Sequence, residues 1–313
     1  MKCDESEEKG LFCLSGSQPF HLMQNISESL SGRIGILELS VLSLRECMGD
    51  AFNKHFLPTM EYASERRKSV KKPENIWEII HRGGYPELQD QDKEWSGFYA
   101  DYVKTYIERD VRELAAVQDL NAFRQLMIAV AARTGEILNY SSIALEIGKD
   151  IGTVKNWISI LEASGIIYLL EPYTSNVLKR AIKSPKLYFR DTGLVCYLTR
   201  WLTAETLAYG AMSGAVFETF VVSEILKSFS NEGLDYRHFV SYYRGRDKKK
   251  MKEGGEIIEL EAEIDLIIEE NGVLYPVEIK KNSEVKAIMT SAFTVLDQIP
   301  GKERGMGAVV CNC

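Results

Sequence analysis

The chain has 313 residues, 45% of them hydrophobic, with a formal net charge of −7. That length can bury sizeable cores and predicts two or three domains, while the acidic balance excludes a protein that coats nucleic acid over its whole surface, though not a local basic patch. No apolar run nears the roughly 20 residues that span a bilayer, and Met1-Lys-Cys-Asp-Glu-Ser-Glu-Glu8 is too acidic for a signal peptide. A cytoplasmic α/β protein of several domains, with no membrane partner, is expected. Six scattered cysteines show no C-x-x-C spacing, and His21, His55, His81 and His238 match no ligand pattern, so free thiols are expected rather than zinc.

Four segments follow in chain order. In residues 1–50, Gly10-Leu-Phe-Cys-Leu-Ser-Gly-Ser17 reads as a short strand, 20–30 as a helix and 32–39 as a second buried strand. Two buried strands around a helix predict part of a parallel α/β sheet. Residues 51–133 are helical, with amphipathic stretches at 77–81, 95–113 and 121–133. A charged loop lies at 66–73, and Gly83-Gly-Tyr-Pro86 breaks the chain between helices.

Residues 134–190 read as a winged helix-turn-helix. A helix over 140–147 stops at Gly148, and Thr153 is the expected cap of a second helix over 154–163. An apolar strand at 166–170 ends before Pro172 and is returned by 186–189. Lys155 and Asn156, with Thr153 and Ser159, are the recognition-helix candidates for DNA. Lys179 and Arg180, with Lys183 and Lys186, are the wing candidates. One lysine and one asparagine are few contacts for a recognition helix, so the alternative is a module that binds protein.

Residues 191–313 carry the chemistry. In a helix over 214–227, Phe217, Val221, Val222, Ile225 and Leu226 form an apolar stripe with Glu218 inside it. An ionised glutamate there is costly unless paired or metal-bound. Arg190 and Asp191 are a candidate buried pair. Arg244-x-Arg246-x-Lys248-Lys-Lys250-x-Lys252 reads as a solvated loop able to guide phosphate. Runs 263–268 and 273–280 flank Asn271-Gly272, the strongest short hairpin signal. A two-residue loop pairs Glu270 with Val273 and sets Asp265 opposite Glu278, Cβ atoms about 5 Å apart, with Lys280 on the same face. Pro276, lacking an N–H, allows a slipped register or an edge position instead. Opposed carboxylates need a cation or a shared proton. Two acids and a lysine on adjacent strands suit a Mg²⁺- or Mn²⁺-dependent phosphodiesterase, the alternative being a solvated face with ion pairs.

The order helix Glu218, strand Asp265, then Glu278-x-Lys280 is similar to the PD-(D/E)XK nuclease superfamily. The resemblance implies Asp265 and Glu278 as metal ligands, Lys280 as the catalytic lysine and Glu218 as an auxiliary acid; Ile264 stands where the superfamily name has proline. The superfamily includes members that have lost cleavage.

Across nearly the whole chain, Gly16-Ser-Gln18, Ser29-Leu-Ser-Gly-Arg33, Leu44-Arg-Glu46, Gly83-Gly-Tyr-Pro86, Tyr106-Ile-Glu-Arg-Asp-Val111, Leu138-Asn-Tyr-Ser141, the run from Ser184 to Leu194 and Tyr275-Pro-Val-Glu-Ile-Lys280 resemble a prokaryotic AAA-type P-loop ATPase family with a C-terminal domain of unknown function. That resemblance implies an ATPase fold ending near residue 50, a helical region with a winged helix, and a PD-(D/E)XK-like domain. It gives Ser17 the place of a γ-phosphate sensor and Arg33 a contact to nucleotide or a neighbouring subunit. The chain contains no G-x-x-x-x-G-K-[ST] and no apolar strand ending in Asp-Glu. ATP binding is therefore not expected, and the chain reads as truncated at its N-terminus. Metal-dependent cleavage of nucleic acid is the leading expectation. A non-catalytic module binding nucleic acid or a partner protein is the alternative, and ATP-driven remodelling is what the intact family architecture implies.

Overall fold

The computed structural model describes residues 37–107, 119–174, 184–250, 257–282 and 284–312, together with Gly10, Cys13, Ser15, Gly16 and Gly35. The chain divides into Met1–Ile36 and Leu37–Cys313. Ser17, Arg33 and the expected helix over 20–30 lie outside the described residues, as do Lys179, Arg180 and Lys183. The strand expected at 32–39 does not form where it is described: Leu37 and Leu39 are exposed and in no strand.

From Leu37 onward the protein is mixed α/β. Among the described residues the α-helices are α1 (Leu44–Cys47), α2 (Met60–Arg66), α3 (Ile76–Arg82), α4 (Trp95–Asp101), α5 (Leu120–Ala131), α6 (Tyr140–Ile147), α7 (Ile151–Ala163), α8 (Thr192–Leu198), α9 (Ala204–Tyr209) and α10 (Ser213–Asn231). Most begin at a short polar residue whose side chain accepts a backbone N–H in the first turn, among them Thr59, Asn75, Asp119, Asn139, Asp191 and Thr203. The cap of α7 is Asp150, which accepts from Thr153 N–H, so Thr153 sits inside the helix it was expected to begin. Gly148 ends α6 at φ +64°, a conformation glycine adopts without strain. Among the described residues, no helix is long and apolar enough to cross a membrane.

Apolar faces of these helices meet one core. Phe123, Leu126 and Val130 of α5 join Ile143, Trp157, Ile158 and Leu161, and the same cluster continues through Val222 and Phe229 of α10 to Val277 and Ile279. The strands β1 (Ile167–Leu170) and β2 (Lys186–Phe189) pair antiparallel directly after α7.

At the break after α3, Gly83 adopts φ +84°, and a Cβ there would collide with the Tyr99 hydroxyl. The reason is Asp191. Its Oδ1 accepts from Tyr99 Oη at 2.6 Å and from Leu194 N–H at 2.8 Å, and its Oδ2 accepts from Gly84 N–H at 2.8 Å. Arg190 does not pair with it; the guanidinium reaches Glu38 at 3.2 Å instead. Three donors converge on a carboxylate that offers only acceptors, so Asp191→Asn would turn one oxygen into an N–H₂ facing a donor. That near-isosteric change is expected to cost about 1–3 kcal/mol in urea unfolding.

The second layer is a five-stranded sheet. β3 (Val240–Lys250), β4 (Ile257–Glu270) and β5 (Val273–Lys280) run antiparallel, and β5 also pairs in parallel with β6 (Glu303–Arg304) and β7 (Ala308–Cys311). Asn271 and Gly272 have φ +52° and +82°, both in the left-handed region that the tight hairpin requires. The register runs from Glu270↔Val273 to Leu266↔Val277, as the two-residue turn predicts. Pro276 falls between the β6 and β7 pairings, and no slip results.

Residues 244–250, expected in a loop, belong to β3, and β4 begins six residues earlier than its expected start at Glu263. The register sets Arg244 opposite Glu263, Arg246 opposite Glu261 and Lys248 opposite Glu259. Among the described side chains, Arg244 reaches diagonally to Glu261 at 3.4 Å. The run is therefore a strand and not the expected loop, while Arg244 and Glu261 remain exposed to solvent.

Candidate functional site

Asp265 lies where the β4 ladder opens. Between the pairs Ser241↔Ile267 and Tyr243↔Ile264, two residues of β4, Asp265 and Leu266, oppose the single Tyr242, which is a β-bulge. On the other side the Asp265 carboxylate accepts the Ile279 N–H at 2.8 Å, the first residue pair beyond the β4–β5 register being Asp265 and Glu278. Asp265 is 6% exposed and Glu278 9%, so these two acids do not lie on a solvated face, although they make the ion pairs which that alternative expected.

Lys280 projects to the same place. Its Nζ lies 2.6 Å from Glu278 Oε1 and 3.6 Å from Asp265 Oδ2, while its side chain keeps access to solvent. Glu218 comes from α10, part-buried, and accepts from Tyr188 Oη at 2.6 Å. The four residues expected from sequence therefore stand together.

Three further residues, Lys186, Tyr188 and Glu263, were not among those candidates. Lys186, read as a wing residue facing DNA, is 3% exposed and points into the acids. Its Nζ lies 2.7 Å from Glu263 Oε1, 3.5 Å from Glu218 Oε1 and 3.7 Å from Asp265 Oδ1. Tyr188, two residues on and on the same side of β2, is fully buried. The signal available was Lys186-Leu-Tyr-Phe189 itself, since a lysine in a short apolar strand needs an acidic partner to be buried.

Burial and charge set the protonation of the cluster. Burial, then the negative charge of Asp265, pushes Glu278 up from 4.5 to about 7, against the opposing pull of Lys280. Burial and Asp265 also raise Glu218, with Lys186 and the Tyr188 hydroxyl pulling the other way. For Lys186, burial disfavours the charge, yet Glu218, Asp265 and Glu263 overcome it and raise the ammonium above the ordinary lysine range.

Glu278 Oε2 is buried and has no hydrogen-bond partner among the described residues. Such an oxygen is costly unless protonated or bound to a cation. Carboxylate oxygens are the donors that Mg²⁺ and Mn²⁺ prefer, and Mg²⁺ is often held by only one or two carboxylates plus water. No group of three or more His, Cys, Asp or Glu side chains among the described residues is gathered closely enough to ligate a metal by itself. Asp265 and Glu278 thus fit a two-carboxylate site and not a closed protein cage.

Lys155 and Asn156 are separate from this cluster. Both are exposed on α7, with the Lys155 Nζ 5.5 Å from the centre of the Tyr140 ring.

Residues 73–205 match the model of a domain of unknown function (DUF8612). That span includes Lys186 and Tyr188 and stops short of Glu218, Asp265 and Glu278. Over 274 residues the chain is 26% identical to the uncharacterized protein Rv2008c of Mycobacterium tuberculosis (strain H37Rv), and equally to the uncharacterized protein Mb2031c of Mycobacterium bovis. The alignment covers 87% of this chain and 52% of either relative, so the chain spans about half the length of the curated relatives it matches. No solved structure matches it. What the comparisons establish is similarity to a domain and to two mycobacterial proteins without an assigned activity.

Proposed function

We propose that the protein is a metal-dependent phosphodiesterase of PD-(D/E)XK type that cleaves nucleic acid. The observations that carry this reading are that Asp265, Glu278 and Lys280 stand together on β4 and β5, with Glu218 joined to Asp265 through Lys186, and that one buried Glu278 oxygen has no partner among the described residues. Asp265 and Glu278 would hold one Mg²⁺ or Mn²⁺. The ion, when bound, supplies Lewis acidity toward a phosphoryl oxygen and lowers the pKa of a bound water.

The chain's own groups do the rest. The Ile279 N–H fixes the Asp265 carboxylate, and Lys280, tethered at one end and open to solvent at the other, meets the negative charge of the phosphate. The Glu278 carboxyl, pushed up to about 7, is poised to give its proton up near neutral pH when a cation takes its place. For the remainder of the chain, α6 and α7 followed by the β1–β2 pair support the winged-helix reading, with Lys155 and Asn156 as its exposed polar contacts. Burial withdraws Lys186 from that contact set. ATP chemistry forms no part of the proposal, because no phosphate-cradling loop occurs in the sequence.

A second reading is favoured by the ion pairs of Lys186 and Lys280, which already serve the acids: a non-catalytic module that binds nucleic acid or a partner protein, with the cluster holding strands together. End-labelled single- and double-stranded DNA and RNA incubated with Mg²⁺ or Mn²⁺ separates the two. The proposal expects cleavage that Lys280→Ala lowers at least about 10²-fold, the scale of removing one transition-state stabiliser. Intact substrate in every metal would favour the second reading.

A further inference from the structure

Lys186 and Lys280 divide the acids between them. Asp265 Oδ1 faces Lys186 and Asp265 Oδ2 faces Lys280, so this one carboxylate is shared by two ammonium groups. Lys186 also reaches Glu218 and Glu263, whereas Lys280 reaches Glu278. A carboxylate shared by two cations, with further acids on either side, is the arrangement of two-metal phosphodiesterase sites, whose ions stand about 3.5–4 Å apart. Here a lysine stands on each side.

The two lysines are not equivalent. Lys280 is 39% exposed along its side chain and holds one strong partner, so it can swing toward solvent when an ion arrives. Lys186 is 4% exposed along its side chain. Its strand is held on both edges, by Leu170 of β1 and by a bridge to Ile137. Its ammonium also lies 5.8 Å from the centre of the Tyr242 ring. It has nowhere to go. Charge points the same way: once a cation has displaced the Glu278 proton, four carboxylates (Glu218, Glu263, Asp265, Glu278) less two lysines leave two negative charges, the complement of one divalent ion.

We propose that Lys186 is a built-in cation filling the second metal position, between Glu218, Glu263 and Asp265, so that the site takes one divalent ion and not two. This rests on the reading of Asp265 and Glu278 as metal ligands. Lys186 is then a positioning residue: it orients Asp265 Oδ1 and neutralises Glu218 and Glu263, and it activates no water.

The test counts Mn²⁺ on the full chain at pH 8, by calorimetry and by electron paramagnetic resonance. The parent is expected to bind one Mn²⁺ with an uncoupled six-line spectrum. Lys186→Met is expected to bind two, spin-coupled, and Lys186→Arg, which keeps the charge, one. Two ions in the parent would overturn the proposal, as would a folded Lys186→Met that still binds one. A parent that binds none beside a Lys186→Met that binds one ends the reading of Asp265 and Glu278 as ligands and keeps Lys186 as the cation. No ion in either sinks both. Should Lys186→Met not fold, Lys186→Gln, which also removes the charge, takes its place: two ions uphold the proposal and one overturns it.

Discussion

Glu278→Gln is expected to stabilise the metal-free protein at pH 8 and to leave it unchanged near pH 4. The folded-state value of about 7 lies above the ordinary 4.5, so the folded protein holds this proton more tightly than the unfolded chain does. Between those two values the folded state binds more protons, and parent stability falls as pH rises through the window. The interval corresponds to about 3 kcal/mol lost by pH 8. Glutamine resembles the protonated acid and carries no such loss. It also removes one of the two proposed metal ligands. With Mn²⁺ at a hundredfold excess over Kd the parent should gain about 2.7 kcal/mol and the variant little. Urea unfolding at pH 4 and pH 8, with and without Mn²⁺, reads all four quantities. Equal parent stability at both pH values in the absence of metal would show that Glu278 is not held under charge strain.

Lys186→Met is expected to be the costliest conservative change in the cluster, on the order of 3–5 kcal/mol at pH 8, the scale of removing one partner from a buried ion pair. Methionine fills the volume of the stem, so the loss is electrostatic: Glu218, Glu263 and Asp265 are left facing one another. The sign with pH follows from Glu218, whose carboxyl is already raised by burial and Asp265 and takes up a proton more readily once the lysine is gone. The deficit should therefore shrink toward pH 5, and Glu218→Gln should recover part of it at pH 8. A cost below about 1 kcal/mol, the range of exposed pairs, would mean that the acids relax into water and that Lys186 holds nothing in place.

Much of this site was legible because its information is local. Asn271-Gly272 sets a turn, the turn sets a register, and a period of two then places Asp265, Glu278 and Lys280 on one face without further knowledge of the fold. Glu218 could be placed on an apolar helical stripe by the same kind of counting. Lys186 could not be assigned this way. It comes from β2, some 79 positions before Asp265, and nothing in its own strand says whether its face looks to solvent or to the sheet. The basic run at 244–250 failed for a different reason, since a charged period-two pattern is read as a loop until its acidic partner strand is known.

Composition, caps and turn chemistry therefore carry the mixed α/β character, most helix starts and the hairpin, because each depends on residues within one turn or one strand pair. The packing of α10 and β2 against the bulge in β4 carries the rest. It decides that Glu218 and Asp265 share Lys186, that Lys186 is internal, that Asp191 serves Tyr99 and Gly84 in place of Arg190, and that one Glu278 oxygen has no partner among the described residues. Those outcomes are set by which segments exclude water from one another, and burial is what turns a row of surface-type charges into a cluster whose carboxyls are held away from their ordinary protonation.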